Sequence, residues 1–364
     1  MIDINAQKIQ AALSTNGAEL GIALEFRRIQ PQFNIHVFDE LASTNTRLWA
    51  LLAAGASSGC VAIAQRQSSG RGQRGRYWHS KPGGLYLSLA LEPDWPVPHS
   101  AQLTSLSAWG IATAFNNLGI PIKIKWPNDL FFQGKKLGGI LTETKLAHFP
   151  RESRLCSKKG NPLPRIKQAV IGVGINWHNP VPETGITLAK ILESMPELSA
   201  KNKINCLEML AALVLKGILQ GAFFHQQVRS QVFMKAYGNL LTQVGKVVSL
   251  DQCLLAFVGS DIPAIAPPGL WSTAHGLVNG SVDSSVGYGA TDKASENYSG
   301  EVVGVSEEGY LQVLVRGVIN GQPIGQLSTN SSRPSPLRTD RLHAHQQQAE
   351  YSPNCVLLLK PSGE

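Results

Sequence analysis

The apolar positions of this chain change period several times, and each change marks an element. Residues 35–38 read as a first strand. The A-S-T-N that follows lets Ser43 or Thr44 cap a helix carrying Leu48, Leu51 and Leu52 on one face before Gly55. Residues 61–65 form a buried strand, and Leu85, Leu87, Leu89 and Leu91 alternate with Tyr86, Ser88 and Ala90 as a half-buried one. Residues 100–118 predict a helix stopped by Gly119 and Pro121. Ile122, Ile124 and Trp126 alternate with Lys123 and Lys125 as a further strand. Pro127, Asn128 and Asp129 then turn the chain into a hairpin with arms at 130–132 and 137–142. Gly134 and Lys135 join the arms, which sets Lys136 at the mouth of the second.

The pattern breaks at 147–167, a polar, basic stretch with Pro150, Pro162 and Pro164 that reads as a mobile surface loop. Residues 169–176, A-V-I-G-V-G-I-N, resume as a strand. Gly172 and Gly174 weaken it by roughly 0.5–1 kcal/mol each relative to alanine, the mark of a ligand or another backbone passing closely. The amphipathic region 204–237 supplies cover helices, and 244–250 is again strand-like. Residues 251–299, rich in Gly, Ser, Ala and Pro without a period, read as a flexible insertion. Strands at 301–305 and 310–315 flank a turn at Glu308 and Gly309, and the tail beyond Arg338 is apolar only at 356–359. Ahead of the first strand, residues 1–34 form a short extension with a helix around 9–13, too short for a separate helix-turn-helix module.

A chain of 364 residues, 43% hydrophobic, can bury a sizeable core. Its formal charge of +8 favours an anionic partner without choosing among ATP, an acidic protein and nucleic acid. Five scattered cysteines without a C-x-x-C spacing argue against a disulfide framework or a zinc site, and for a reducing cytoplasm. The start M-I-D-I-N lacks a secretory pattern, and no apolar run approaches membrane-spanning length, so a soluble cytoplasmic protein is expected.

The chemistry concentrates in Q-S-S-G-R-G-Q-R-G-R-Y-W, residues 67–78. Gly70, Gly72 and Gly75 alternate with Arg71, Arg74 and Arg76, so backbone N–H groups and guanidinium forks can fold around an anion. Alone, such a run is more often an exposed basic patch. It stands between two strands, however, and four other segments accompany it.

S-T-N at Ser43 to Asn45, G-R-G-Q-R-G-R-Y-W at Gly70 to Trp78, K-W-P-N-D-L at Lys125 to Leu130, K-L-G-G-I-L at Lys136 to Leu141 and I-G-V-G-I-N at Ile171 to Asn176 resemble, in this order, the biotin protein ligase family. The resemblance covers about residues 35–250 and the C-terminal strands. It implies an α/β (α+β) fold: a mixed sheet with flanking helices, like that of class II aminoacyl-tRNA synthetases, at 35–240, then a small SH3-like β-barrel at 241–338 interrupted by the insertion, and a tail at 339–364. The implied substrates are biotin and ATP with Mg²⁺, and the implied partner is the biotin carboxyl carrier protein of acetyl-CoA carboxylase. No specific DNA and no membrane are expected, and a homodimer is left open.

Residue by residue, the resemblance makes Lys136 and Arg71 the catalytic cations. It assigns Ser43, Thr44, Asn45, Gln67, Gly70, Arg71, Gln73, Trp78, Tyr86, Lys136, Gly139, Gly172 and Gly174 to biotin. Arg71, Arg74, Arg76, Asn128, Asp129, Asn176 and Arg338 go to ATP, with Arg333 competing for the last place, and Asp129 also to Mg²⁺. The family commonly has arginine where this chain has Gln73, which implies looser retention of the reactive adenylate. The rival readings are a lipoate ligase or octanoyltransferase of the same fold, and a ligase that doubles as a DNA-binding repressor.

Overall fold

The computed structural model describes residues 4–29, 31–147, 164–201, 203–250, 298–307 and 309–316, with short strands at 265–266, 271–273, 318–319, 322–323 and 354–359. The chain divides into two compact units, 1–242 with 307–309 and 243–306 with 310–364.

The first unit opens with helix α1 (Ala6–Leu13), whose first turn is capped by the Asn5 side chain. Strand β1 (Asn34–Leu41), helix α2 (Thr44–Ala53), β2 (Cys60–Gln67), β3 (Leu85–Leu91) and the short β4 (Trp95–Pro96) follow. Helix α3 (Ser100–Asn117) precedes β5 (Lys123–Lys125), β6 (Asp129–Phe132), β7 (Lys135–Leu146) and β8 (Arg165–Ile175). Helices α4 (Leu188–Glu193), α5 (Pro196–Lys201), α6 (Leu207–Gln227) and α7 (Ser230–Gly238) complete it. The strands form one sheet in the order β1-β2-β3-β8-β7-β6-β5, with β4 paired to β8. Only β1 and β2 run parallel along this path; the other neighbours are antiparallel. The expected mixed sheet with flanking helices is therefore present.

The two faces of β3 explain its alternation. Leu85, Leu87 and Leu89 are fully buried on one side. On the other, Ala90 joins Ala62 and Val170 under Leu48 and Leu52 of α2. The strand is buried on both faces rather than half-buried, because it lies between β2 and β8 and each face carries a helix layer. Helix α6 corrects a second expectation. At 21 residues, with an 18-residue stretch of mean hydropathy 1.6, it is long and apolar enough to cross a membrane, but 72% of that stretch is buried within the fold. It is the core helix, packed on α1 and α3, which is why it is apolar nearly all round. Glycines allow the close crossing: a Cβ on Gly110 would fall 1.9 Å from the Gly217 carbonyl oxygen, and one on Gly221 2.1 Å from that of Leu106. The buried Gln220 amide donates to Gly110 O at 2.6 Å and accepts from Ala23 N at 3.1 Å.

Smaller boundaries also move. The β6–β7 hairpin turns through Gln133 and Gly134, both at positive φ, one residue before the expected pair. Strand β7 runs up to Leu146, and β8 begins at Arg165, so the ladder takes in the C-terminal end of the stretch expected as loop. The rest of that stretch, 148–163, lies outside the described residues.

In the second unit, β9 (Val247–Leu250), β10 (Ile265–Ala266), β11 (Trp271–Thr273), β12 (Tyr298–Val305), β13 (Leu311–Arg316) and β16 (Asn354–Leu359) form a sheet in the order β10-β16-β13-β12-β9-β11. Strands β14 (Val318–Ile319) and β15 (Gln322–Pro323) pair with each other. Most of the expected insertion, the rest of the tail, and both Arg333 and Arg338 lie outside the described residues.

Candidate functional site

The site is built on the sheet face that carries α2. Cross-strand register aligns Tyr86, Gly174, Gly139 and Asp129 in one row, and Ser88, Gly172 and Leu141 in the next. The glycines make these rows a shallow lane, and the lane admits side chains of the protein itself. A Cβ on Gly174 would fall 2.4 Å from Trp78 Nε1, and one on Gly172 2.2 Å from Asn45 Oδ1. The room anticipated at these glycines is taken up here by an indole and an amide.

Helix α2 is fixed over the lane by an unexpected cap. Ser43 holds the N-cap position without a side-chain capping bond. Gln67, at the end of β2, does the work instead: its Oε1 accepts from Thr44 N at 2.8 Å and from Thr44 Oγ1 at 3.2 Å. Its Nε2 donates to Ser80 Oγ at 2.8 Å. Ser88 Oγ lies 2.8 Å from Thr44 Oγ1 and 2.6 Å from Asn45 Oδ1. Ser43, Thr44 and Asn45 are all buried.

The basic loop is an antiparallel excursion, with Arg71 bridged to Tyr77, Gln67 to Ser80, and a 3₁₀ turn at Gln73–Gly75. Gly75 sits at φ 67, where glycine avoids the Cβ clash. Gly70 is demanded by crowding: a Cβ there would fall 2.4 Å from Trp78 O and 2.6 Å from Ser80 Oγ. Three of the loop's amides bond within it. Gly72 N donates to Arg76 O at 2.7 Å, Trp78 N to Gly70 O at 2.9 Å, and Arg76 N to Gln73 O at 3.2 Å. Arg76 is exposed, while Arg71 Nη2 makes an ion pair of 2.8 Å with Glu143 Oε2.

Lys136 stands at the other side of the lane. Its Nζ lies 2.7 Å from Asp129 Oδ1 and 5.1 Å from the centre of the Trp78 ring. Its backbone is locked on both sides, by Lys136 N donating to Thr184 O and Ile186 N donating to Lys136 O. Trp78 Nε1 is buried and has no hydrogen-bond partner among the described residues. Such an orphan donor costs about 1–3 kcal/mol unless an acceptor arrives.

Several expected ligand residues have structural partners. Asn128 Nδ2 donates to Ile140 O at 2.6 Å, holding the turn after the cis Trp126–Pro127 bond against β7. Asn176 Oδ1 accepts from Asn179 Nδ2 at 3.0 Å, and its own Nδ2 points to Ile186 O and Lys136 O at 3.3 and 3.4 Å. Tyr86 is fully buried, its hydroxyl donating to Lys81 O at 2.6 Å, and burial pushes its pKa well above the usual phenol value. Asp129 is the partner of Lys136, and among the described residues no group of three His, Cys, Asp or Glu gathers to hold a metal. Among the described residues, the site's carboxylates Asp129 and Glu143 each face a cation.

Sequence reasoning missed Glu143, Ser80, Ser88 and Asn179. Glu143 left a signal: in a period-two strand it shares the face of Gly139, a residue already singled out.

Residues 37–151 match the Biotin/lipoate A/B protein ligase family. A curated relative, "Bifunctional ligase/repressor BirA" of Bacillus subtilis, is 36% identical over 140 residues, 38% of this chain and 38% of that protein. "Biotin--[acetyl-CoA-carboxylase] ligase" of Paracoccus denitrificans is 32% identical over 128 residues, 34% of this chain and 47% of that protein. The matched stretches thus span less than half the length of these relatives. Among solved structures, "Biotin protein ligase from Aquifex aeolicus in complex with biotin and ATP" is similar at a TM-score of 0.47 and 23% identity, covering 78% of this chain and 92% of that one.

Proposed function

We propose that this chain, which carries a biotin/lipoate A/B protein ligase domain, is a biotin protein ligase. It joins biotin's carboxylate to the α-phosphate of ATP with release of pyrophosphate. The biotinyl group of the resulting biotinyl-5′-AMP then passes to one lysine amine of a biotin carboxyl carrier protein, and AMP leaves.

The observation that carries this reading is the arrangement around the glycine lane, with a basic loop anchored on one side and Lys136 on the other. Both first-step reactants are anions, and two unit charges about 4 Å apart repel by ~4 kcal/mol at an effective dielectric near 20. Cations must converge before attack. Lys136 supplies one beside Trp78, and Arg71 and Arg76 supply others from the loop. The bicyclic head of biotin needs a few polar groups within an apolar slot. Trp78, with its free indole N–H, and the bonded set of Thr44, Gln67 and Ser88 suit that demand. Transfer to the carrier lysine needs mainly proximity, because the mixed anhydride is already activated.

ATP would bring Mg²⁺ as its own counter-ion. The synthetase-like catalytic region at 35–240, the SH3-like barrel at 241–338 and a cytoplasmic location belong to the same proposal. Incubation with ATP, biotin and the carrier domain of acetyl-CoA carboxylase is expected to place biotin on one lysine, detected by mass spectrometry. Modification of a lipoyl carrier with lipoate, and none with biotin, would overturn it.

A further inference from the structure

Glu143 belongs to none of the recognised motif segments, yet three donors from two other elements meet on one of its oxygens. Its Oε2 accepts from Asn45 Nδ2 at 2.8 Å, Trp49 Nε1 at 3.2 Å and Arg71 Nη2 at 2.8 Å. Asn45 and Trp49 are four apart on α2, so one carboxylate reads one face of that helix. Arg71 comes from the basic loop, and Glu143 itself from β7. The carboxylate is therefore the point where helix, loop and sheet are joined.

The geometry also leaves Arg71 usable. The contact engages one of its three nitrogens, and a guanidinium presents five N–H donors in a planar fork. Held by Nη2, the group keeps its other edge for an anion. Without Glu143 the loop would retain its internal bonds but lose the ion pair that docks it on β7.

We propose that Glu143 is the positioning residue of the basic loop, holding Arg71 oriented over the glycine lane and retarding opening of the loop. This rests on the ligase reading for its catalytic consequence, but not for its structural one. If a ligand anion binds the free edge of Arg71, the same carboxylate determines how fast that ligand escapes.

The test uses the full chain in two arms. In the first, without substrates, trypsin cleavage after Arg71, Arg74 and Arg76 is followed by mass spectrometry. Glu143→Gln, whose amide oxygen can still accept from Asn45 and Trp49, is expected to speed cleavage in the loop by about fivefold, the scale of a partly exposed charged pair. Cleavage elsewhere stays unchanged. Arg71→Gln, a substitution at an exposed loop position, should speed cleavage after Arg74 and Arg76 equally, and the double variant should add nothing further. Unchanged loop cleavage in Glu143→Gln, or full additivity in the double variant, would overturn the proposal whatever the activity. In the second arm, if the unaltered chain forms biotinyl-adenylate, its dissociation should quicken in Glu143→Gln and recover in Glu143→Asp. Equal dissociation from the unaltered chain and Glu143→Gln would overturn the catalytic consequence. Failure of the unaltered chain to form adenylate would count against the ligase reading alone.

Discussion

At the scale of single residues, charge is held in pairs. Lys136 is paired with Asp129 and Arg71 with Glu143, so each cation is oriented before any ligand arrives. Preorganised charge of this kind stabilises developing charge without reorganisation, and loss of one such group commonly costs about 10²–10³ in rate. Lys136→Gln is accordingly expected to lower adenylate formation by a factor in that range, measured as pyrophosphate release, while the thermal midpoint stays close to that of the unaltered chain. The glycines make a different claim. Gly174→Ala would drive a methyl group against the Trp78 indole at 2.4–2.6 Å. Overpacking costs about 1–3 kcal/mol, and because the indole borders the lane, titration calorimetry should register it as weaker biotin binding. The motif segments were recognisable because five short runs stand in a fixed order along the chain. Gln67 as the cap of α2, and Glu143 as the anchor of the loop, were not: each acts through a partner far along the chain, a contact that no local pattern encodes.

At the scale of elements, periodicity identified most strands and helices but not their depth. Strand β3 looked half-buried because Ser88 and Tyr86 are polar, yet both are consumed by hydrogen bonds inside the fold. Helix α6 looked amphipathic because its polar Gln220 and Lys216 fall among apolar residues, yet both are buried. Its packing on α3 depends on missing side chains. Gly221→Ala is expected to destabilise the first unit by about 1–3 kcal/mol, read from the midpoint of urea unfolding. The end of the same helix carries a pH-sensitive contact. His225 stacks on Trp95 at 4.6 Å, meets the edge of Phe233, and its Nε2 donates to Gln102 Oε1 at 2.5 Å. Gln102 Nε2 in turn reaches His99 Nδ1 at 3.2 Å. Burial first, and His99 second, hold the His225 pKa below its ordinary value. The unfolded chain therefore takes up the proton more readily than the folded one, so this contribution is complete above the ordinary imidazole range near 6.5 and is lost as pH falls below it. Thermal midpoints recorded from pH 7.5 down to 5 should fall more steeply in the unaltered chain than in His225→Gln.

At the scale of the whole molecule, a net charge of +8 gave no choice among anionic partners. The placement of cations does favour one. They gather along a lane that also offers a buried indole and small-residue backbone, which suits a compact acid activated by a nucleotide. The central claim is that the acid is biotin. The most direct measurement is pyrophosphate release by the purified chain with ATP and Mg²⁺, supplied in turn with biotin, lipoate and octanoate. Strong stimulation by biotin and little by the other two is the expected result. Stimulation by lipoate or octanoate with none by biotin would contradict it.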